Sequence, residues 1–251
     1  MPTFLTWFLA IAGAIVTTDA LLRLGTLVYR RTVGKRKFAR LKLSRLGTNA
    51  NINYFSSILG QPVLTMRHSE ELTEHVFIDK LYYVQAIVTE SGTVKFYTVT
   101  VRDKRLRCTV PLPNEGRYTF DAPSVKIRVG SDTFAIIRWK PNSVIASLGA
   151  RRAWYIETYY LGNPMNYQTL TLSWNDAGFG SWPPLEPLLK DFGYVVDSAT
   201  TDKYLSSDAT LRLRPTIRFN SYGFTAPHQD LKDDRSLLGV DGDQVRVVPR
   251  R

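Results

Sequence analysis

The sequence predicts an α+β protein: an N-terminal transmembrane helix over residues 1–29, then a mainly antiparallel sheet domain with short helices, arranged as two related helix-then-sheet units. Three observations predict it. An uncharged run, residues 4–16, opens the chain and leads into a basic belt. Residues 74–78, 81–89, 93–101, 153–161 and 167–174 are rich in Tyr, Val, Phe and Thr, the residues that suit a pleated, half-buried surface. Two Leu-Gly segments, ending at Gly60 and Gly149, each precede such runs.

The anchor comes first. Residues 4–16 cover only about 20 Å of a hydrocarbon layer about 30 Å thick, so the run is too short alone. Extension through Leu21, Leu22, Leu24, Gly25, Leu27, Val28 and Tyr29 reaches spanning length. It must carry Asp19 and Arg23, which lie four apart on one helix face and partly neutralise each other. A cleaved signal peptide is the alternative, with small residues at Ala12-Gly13-Ala14 or Thr18-Asp19-Ala20, although Met1-Pro2-Thr3 offers no basic residue before the core.

Residues 30–45 form a juxtamembrane segment with Arg30, Arg31, Lys35, Arg36, Lys37, Arg40, Lys42 and Arg45 and no acidic residue. Positive charge beside a first helix stays in the cytoplasm, which places the main domain inside and the belt against the anionic inner leaflet. Each such charge adds about 1 kcal/mol of attraction.

The chain carries a net charge of +11. Residues 1–45 hold nine of the 33 Lys and Arg and one of the 22 Asp and Glu, a net +8. The rest has 24 basic against 21 acidic residues, a net +3, which argues against nucleic acid as a partner of the main domain. Cys108 is the single cysteine and forms no internal disulfide, in keeping with a reducing compartment.

The first unit spans 46–125. Asn49 or Asn51 caps a short helix with Ile52, Phe55, Ile58 and Leu59 on one face, Gly60 as its stop and Pro62 beyond. Strands at 74–78, 81–89 and 93–101 follow, the last two joined by a Glu90-Ser91-Gly92 hairpin, and 106–110 reads as a fourth strand. The second unit spans 126–226. Gly130-Ser131-Asp132-Thr133 opens it, residues 144–148 lead into Gly149 as the counterpart of residues 55–60, and 153–161 pairs with 167–174. Asn175-Asp176-Ala177-Gly178 is a turn, and 187–192 is one helical turn stopped by Gly193. Leu211-x-Leu213 and Ile217-x-Phe219 suggest a late strand interrupted at Pro215 and therefore an edge. Residues 227–251 read as a charged surface tail.

Gly47, Tyr54-Phe55, Ile58-Leu59-Gly60 and Pro62, followed by antiparallel strands and a Ser-Gly turn, resemble the helix-plus-sheet module of outer-membrane β-barrel assembly lipoproteins, which β-lactamase inhibitor proteins contain in tandem. The resemblance covers residues 46–110, or 46–175 if doubled. It implies protein binding and brings no catalytic residues. No lipoprotein cysteine stands near the N-terminus, and the expected orientation is cytoplasmic, unlike that family. Glu157-Thr158-Tyr159-Tyr160-Leu161-Gly162-Asn163-Pro164 and Trp174-Asn175-Asp176-Ala177-Gly178 also resemble a family of uncharacterised bacterial single-pass membrane proteins.

His68, His75, His228 and Cys108 lack metal-ligand spacing, and no phosphate loop, nucleophile elbow or zinc-helix motif is present, so neither metal nor cofactor is expected. Tyr, Trp and Arg together supply the anchors of protein interfaces, which makes Arg152, Trp154, Tyr159, Tyr160, Tyr167 and Trp174 candidates for binding a protein partner. The alternative is that these side chains simply alternate inward and outward on two paired strands. The reading is a membrane-anchored protein-binding or assembly module without catalysis. Its alternatives are an extracytoplasmic inhibitor or envelope assembly factor, and an enzyme using Glu157 and Asp176 as an acid/base pair.

Overall fold

A computed structural model describes residues 33–112, 126–148, 152–162, 167–196 and 199–227, with Gly25, Val240 and Val245 besides. Residues 1–41 and 42–251 form separate units. The expected spanning helix lies outside the described residues; among those described, no helix is long and apolar enough to cross a membrane.

Helix α1, Val33–Leu43, is made mostly of strong helix formers (Lys, Arg, Ala, Leu), with Gly34 in its first turn and no acidic residue there. Helix α2, Ile52–Leu59, begins where the Asn51 side chain accepts the Asn53 N–H at 2.8 Å and stops at Gly60, whose φ of 94° only glycine adopts readily. The chain before it is tied to the sheet: Asn49 N–H donates to Val94 O at 2.7 Å and Ile52 N–H to Gly92 O at 2.8 Å.

The strands are β1 (Leu64–Arg67), β2 (Leu72–Ile78), β3 (Tyr82–Thr89), β4 (Val94–Val101), β5 (Cys108–Thr109), β6 (Arg128–Val129), β7 (Ser143–Leu148), β8 (Ala153–Tyr160), β9 (Thr169–Asn175), β10 (Val195–Val196) and β11 (Ser221–Thr225). Nine of them form one sheet in the order β1-β2-β3-β4-β11-β9-β8-β7-β10, with each neighbouring pair antiparallel. Both expected units therefore contribute to a single sheet, with β11 joining β4 of the first to β9 of the second.

Alternation along the strands and the cross-strand register define two faces. One carries Phe77, Val84, Ala86, Tyr97, Val99, Tyr222, Phe224, Leu170, Leu172, Tyr155 and Tyr159, and the short helices pack on it. Phe55 of α2 stands edge-on to Tyr97 at 5.7 Å, and Phe134 of the short 3-10 turn Phe134–Ile136 is edge-on to Tyr155 at 4.8 Å. The other face carries Val76 and Tyr83 at one end, covered by Val240 and Val245. Those two valines are buried, so at these positions the expected surface tail is part of the core; its remaining residues beyond Pro227 lie outside those described.

Three expectations are corrected. Residues 211–219 hold no edge strand: after helices α3, Glu186–Phe192, and α4, Thr201–Ser206, comes α5, Asp208–Leu213, a helix capped by the Ser207 hydroxyl, and it leaves Leu211 exposed and Leu213 buried, whereas a strand would put both on one face. The late strand is β11, at the centre of the sheet. Residues 144–148 are strand β7, not a counterpart of helix α2, because β-branched Val144 and Ile145 pair with Glu157 and Ile156 of β8. Of residues 106–110, only Cys108 and Thr109 form a strand, and it pairs with β6 in a separate two-stranded ladder.

Candidate functional site

Strand β8 reads Ala-Trp-Tyr-Ile-Glu-Thr-Tyr-Tyr, and its period of two puts Tyr155, Glu157 and Tyr159 on the helix-covered face. Glu157 is fully buried there. A carboxylate taken out of water needs an opposite charge and hydrogen bonds to remain ionised. Arg214, just past α5, supplies both: its Nε donates to Oε1 at 2.9 Å and its Nη2 to Oε2 at 3.0 Å, a two-pronged grip. The Tyr155 hydroxyl donates to Oε1 and the Tyr159 hydroxyl to Oε2. Tyr204 of helix α4, Thr201–Ser206, adds a donation to Oε1 at 3.2 Å, and its hydroxyl also meets that of Tyr155. Arg214 Nη2 further donates to Ile137 O at 3.3 Å, beside the 3-10 turn.

Burial, then the Glu157 charge, raises the hydroxyl pKa values of Tyr155 and Tyr159 well above the usual phenol value, and burial followed by Glu157 raises that of Tyr204. Burial works against the Arg214 charge, but the adjacent carboxylate more than offsets it and the guanidinium pKa is raised. All three phenols are held as donors and the guanidinium as a cation. With both its oxygens engaged, Glu157 clasps α4 and the segment after α5 to the sheet. The arrangement does not offer it to Asp176: register puts Asn175 opposite Trp154, three positions and about 10 Å along the strand from Glu157.

The opposite face is polar. A row across five strands reads Gln85, Thr98, Gly223, Thr171 and Thr158, each facing the next, and Ser143 extends it on β7. Gln85 donates to Glu74 Oε1 at 2.8 Å and accepts from Thr98 at 3.1 Å. Asn175 donates to Thr100 Oγ1 and Ser221 Oγ, both at 3.3 Å, and its carbonyl accepts from the Asn220 amide at 2.7 Å, which fixes the turn at Asn175-Asp176-Ala177-Gly178.

The expected partner-binding residues divide. Tyr159 and Trp174 are buried on the helix-covered face and are no part of a surface, a correction that follows from their sharing parity with Glu157 and Leu172. Tyr160 and Tyr167, at the end of the β8–β9 hairpin where the chain passes from one strand to the other, are 53% and 45% exposed. Arg152 and Trp154 are half-buried. Of the membrane-surface set, Lys35, Lys37 and Arg40 are exposed on α1 and Arg36 is half-buried, while Arg30 and Arg31 lie outside the described residues. Sequence reasoning missed Tyr204 and Arg214. The available signal was the Tyr-x-Glu-x-Tyr alternation, which puts a carboxylate among aromatic rings and so requires a cation from elsewhere. Among the described residues, no group of three His, Cys, Asp or Glu could hold a metal ion.

No protein-family model, curated protein or solved structure matches the chain.

Proposed function

We propose that this chain is a membrane-held binding module: residues 1–29 anchor it, helix α1 lies at an anionic membrane surface, and the sheet domain faces the cytoplasm and binds a protein partner without catalysis. One observation carries the reading. Helix α1 exposes Lys35, Lys37 and Arg40 together with Phe38 and Leu41, which are 61% and 49% exposed and one turn apart. Basic side chains beside an exposed aromatic and an aliphatic residue are the chemistry of a helix lying in the headgroup layer. The partner-binding half draws support from the exposed Tyr160 and Tyr167, and the non-catalytic reading from the full engagement of Glu157 by Arg214 and three tyrosines.

The test is flotation of the full chain with vesicles of neutral lipid and with vesicles containing phosphatidylserine. Three cations at about 1 kcal/mol each give a preference for the anionic vesicles of roughly a hundredfold. Replacing Lys35, Lys37 and Arg40 together by Glu should abolish that preference. Equal partition of the unaltered chain between the two vesicles would refute the role of α1.

A further inference from the structure

Strands β5 and β6 form a short ribbon with two chemically different faces. Cys108 stands opposite Val129 and Thr109 opposite Arg128, and the Val110 N–H continues the ladder to Ile127 O at 2.9 Å. Alternation puts Leu106, Cys108, Val110, Ile127 and Val129 on one face, where none is more than 2% exposed. Arg105, Arg107, Thr109, Lys126 and Arg128 take the other face, and all five are exposed. Four of these five outward positions are cations, and exposed Lys104 stands beside them in the turn that leads into β5. The acids of the same two segments are turned to the backbone: Asp103 accepts the Arg105 N–H at 2.9 Å and Asp132 the Arg128 N–H at 2.8 Å.

Segments 102–107 and 126–132 hold six Lys and Arg against two Asp, a net +4. Residues 46–251 carry a net +3 in all, so everything among them outside these two segments sums to −1. The excess positive charge of the sheet domain is therefore gathered in this one place. Mixed signs would keep the ribbon soluble at lower cost, since like charges at neighbouring ladder positions repel. An anionic surface laid against the ribbon relieves that repulsion and screens it over a wide area. A nucleic acid would need cations beyond the ribbon to follow its backbone, and the outward face offers no ring on which a base could stack. A leaflet of anionic headgroups asks only for clustered charge.

We propose, resting on the membrane-held reading above, that the outward face of the β5–β6 ribbon is a second contact with the anionic leaflet, made by the sheet domain itself through Arg105, Arg107, Lys126 and Arg128. Three of the four are arginines, whose planar guanidinium matches the oxygens of a lipid phosphate or carboxylate in pairs. The contact fixes which side of the domain faces the membrane, a choice that an N-terminal tether alone leaves open.

The test is acetylation of the full chain by a water-soluble reagent, with vesicles of neutral lipid and with vesicles containing phosphatidylserine, each lysine being read by mass spectrometry. Lys104 and Lys126 should react more slowly with the anionic vesicles present than with the neutral ones, while Lys203, exposed on α4, reacts equally with both. Replacing Arg105, Arg107 and Arg128 together by Gln leaves the buried face untouched, removes about a hundredfold of attraction, and should restore the reactivity of Lys104 and Lys126. Equal reactivity of these two lysines with both vesicles overturns the proposal, as does protection that persists in the variant or extends equally to Lys203. Protection by an added oligonucleotide but not by anionic vesicles overturns it in favour of a nucleic acid. Lys35 and Lys37 report on α1 in the same digest. Their protection without that of Lys104 and Lys126 overturns this contact and leaves the role of α1 standing; the converse removes α1 and leaves the ribbon.

Discussion

Glu157 and Arg214 show how one buried charge organises its surroundings. The pair is shielded from solvent, gripped at 2.9 and 3.0 Å, and completed by tyrosines from β8 and α4. Removing one partner leaves the other buried and uncompensated, which costs about 3–5 kcal/mol. Arg214→Met should therefore lower the unfolding free energy by about that amount in urea titrations, whereas Glu157→Gln in the Arg214→Met background should recover part of the loss, because the amide buries no charge. Additive losses in the double variant would show that the two side chains do not act as a pair. At this scale the sequence was only partly legible. The alternation in β8 shows that Tyr155, Glu157 and Tyr159 share a face, but not which face is covered, so Tyr159 and Trp174 read as surface anchors until the packing of Phe134 and Trp139 against that face is known.

Elements specified by local chemistry were legible, and those specified by distant partners were not. Helix α2 has its Asn51 cap and Gly60 stop within ten residues, and β3 and β4 meet across a short turn. Strand β11 offers only Ser-Tyr-Gly-Phe-Thr, and its identity comes from β4 and β9 on either side. Its glycine is a packing requirement: a Cβ at Gly223 would meet the Tyr97 carbonyl oxygen at 2.6 Å and the Thr98 methyl at 2.7 Å. Backbone cannot yield as a flexible side chain does, so Gly223→Ala should cost about 1–3 kcal/mol by overpacking. It should also speed hydrogen exchange in β4 and β9 together, since β11 is the strand that joins them. Unchanged protection in both neighbours would contradict that role.

At the scale of the whole molecule, six tyrosines are held as protonated phenols in the interior. Tyr82, Tyr97, Tyr155, Tyr159, Tyr204 and Tyr222 all have raised pKa values, with burial the largest cause for each. Unfolded tyrosine titrates near 10, so this contribution to stability is complete below pH 10 and is lost as pH rises above it. Each buried phenol that remains protonated then costs about 1.4 kcal/mol of stability per pH unit. Unfolding should be steep and cooperative above pH 10, with the tyrosinate absorbance of these six phenols appearing together with loss of the β-sheet circular dichroism signal. Tyrosinate formed at these six positions, read as the absorbance change lost when each is replaced by Phe, while the sheet signal is intact would refute the burial of these hydroxyls.

The proposed holding of this sheet domain at the inner surface of a membrane by its basic segment is tested most directly by topology. A reporter active only in the cytoplasm and one active only after export, each fused after Arg251 of the full chain, would be compared in membrane fractions. The expected result is activity of the cytoplasmic reporter alone, in the membrane fraction. Activity of the exported reporter alone would contradict it and reverse the orientation drawn from residues 30–45.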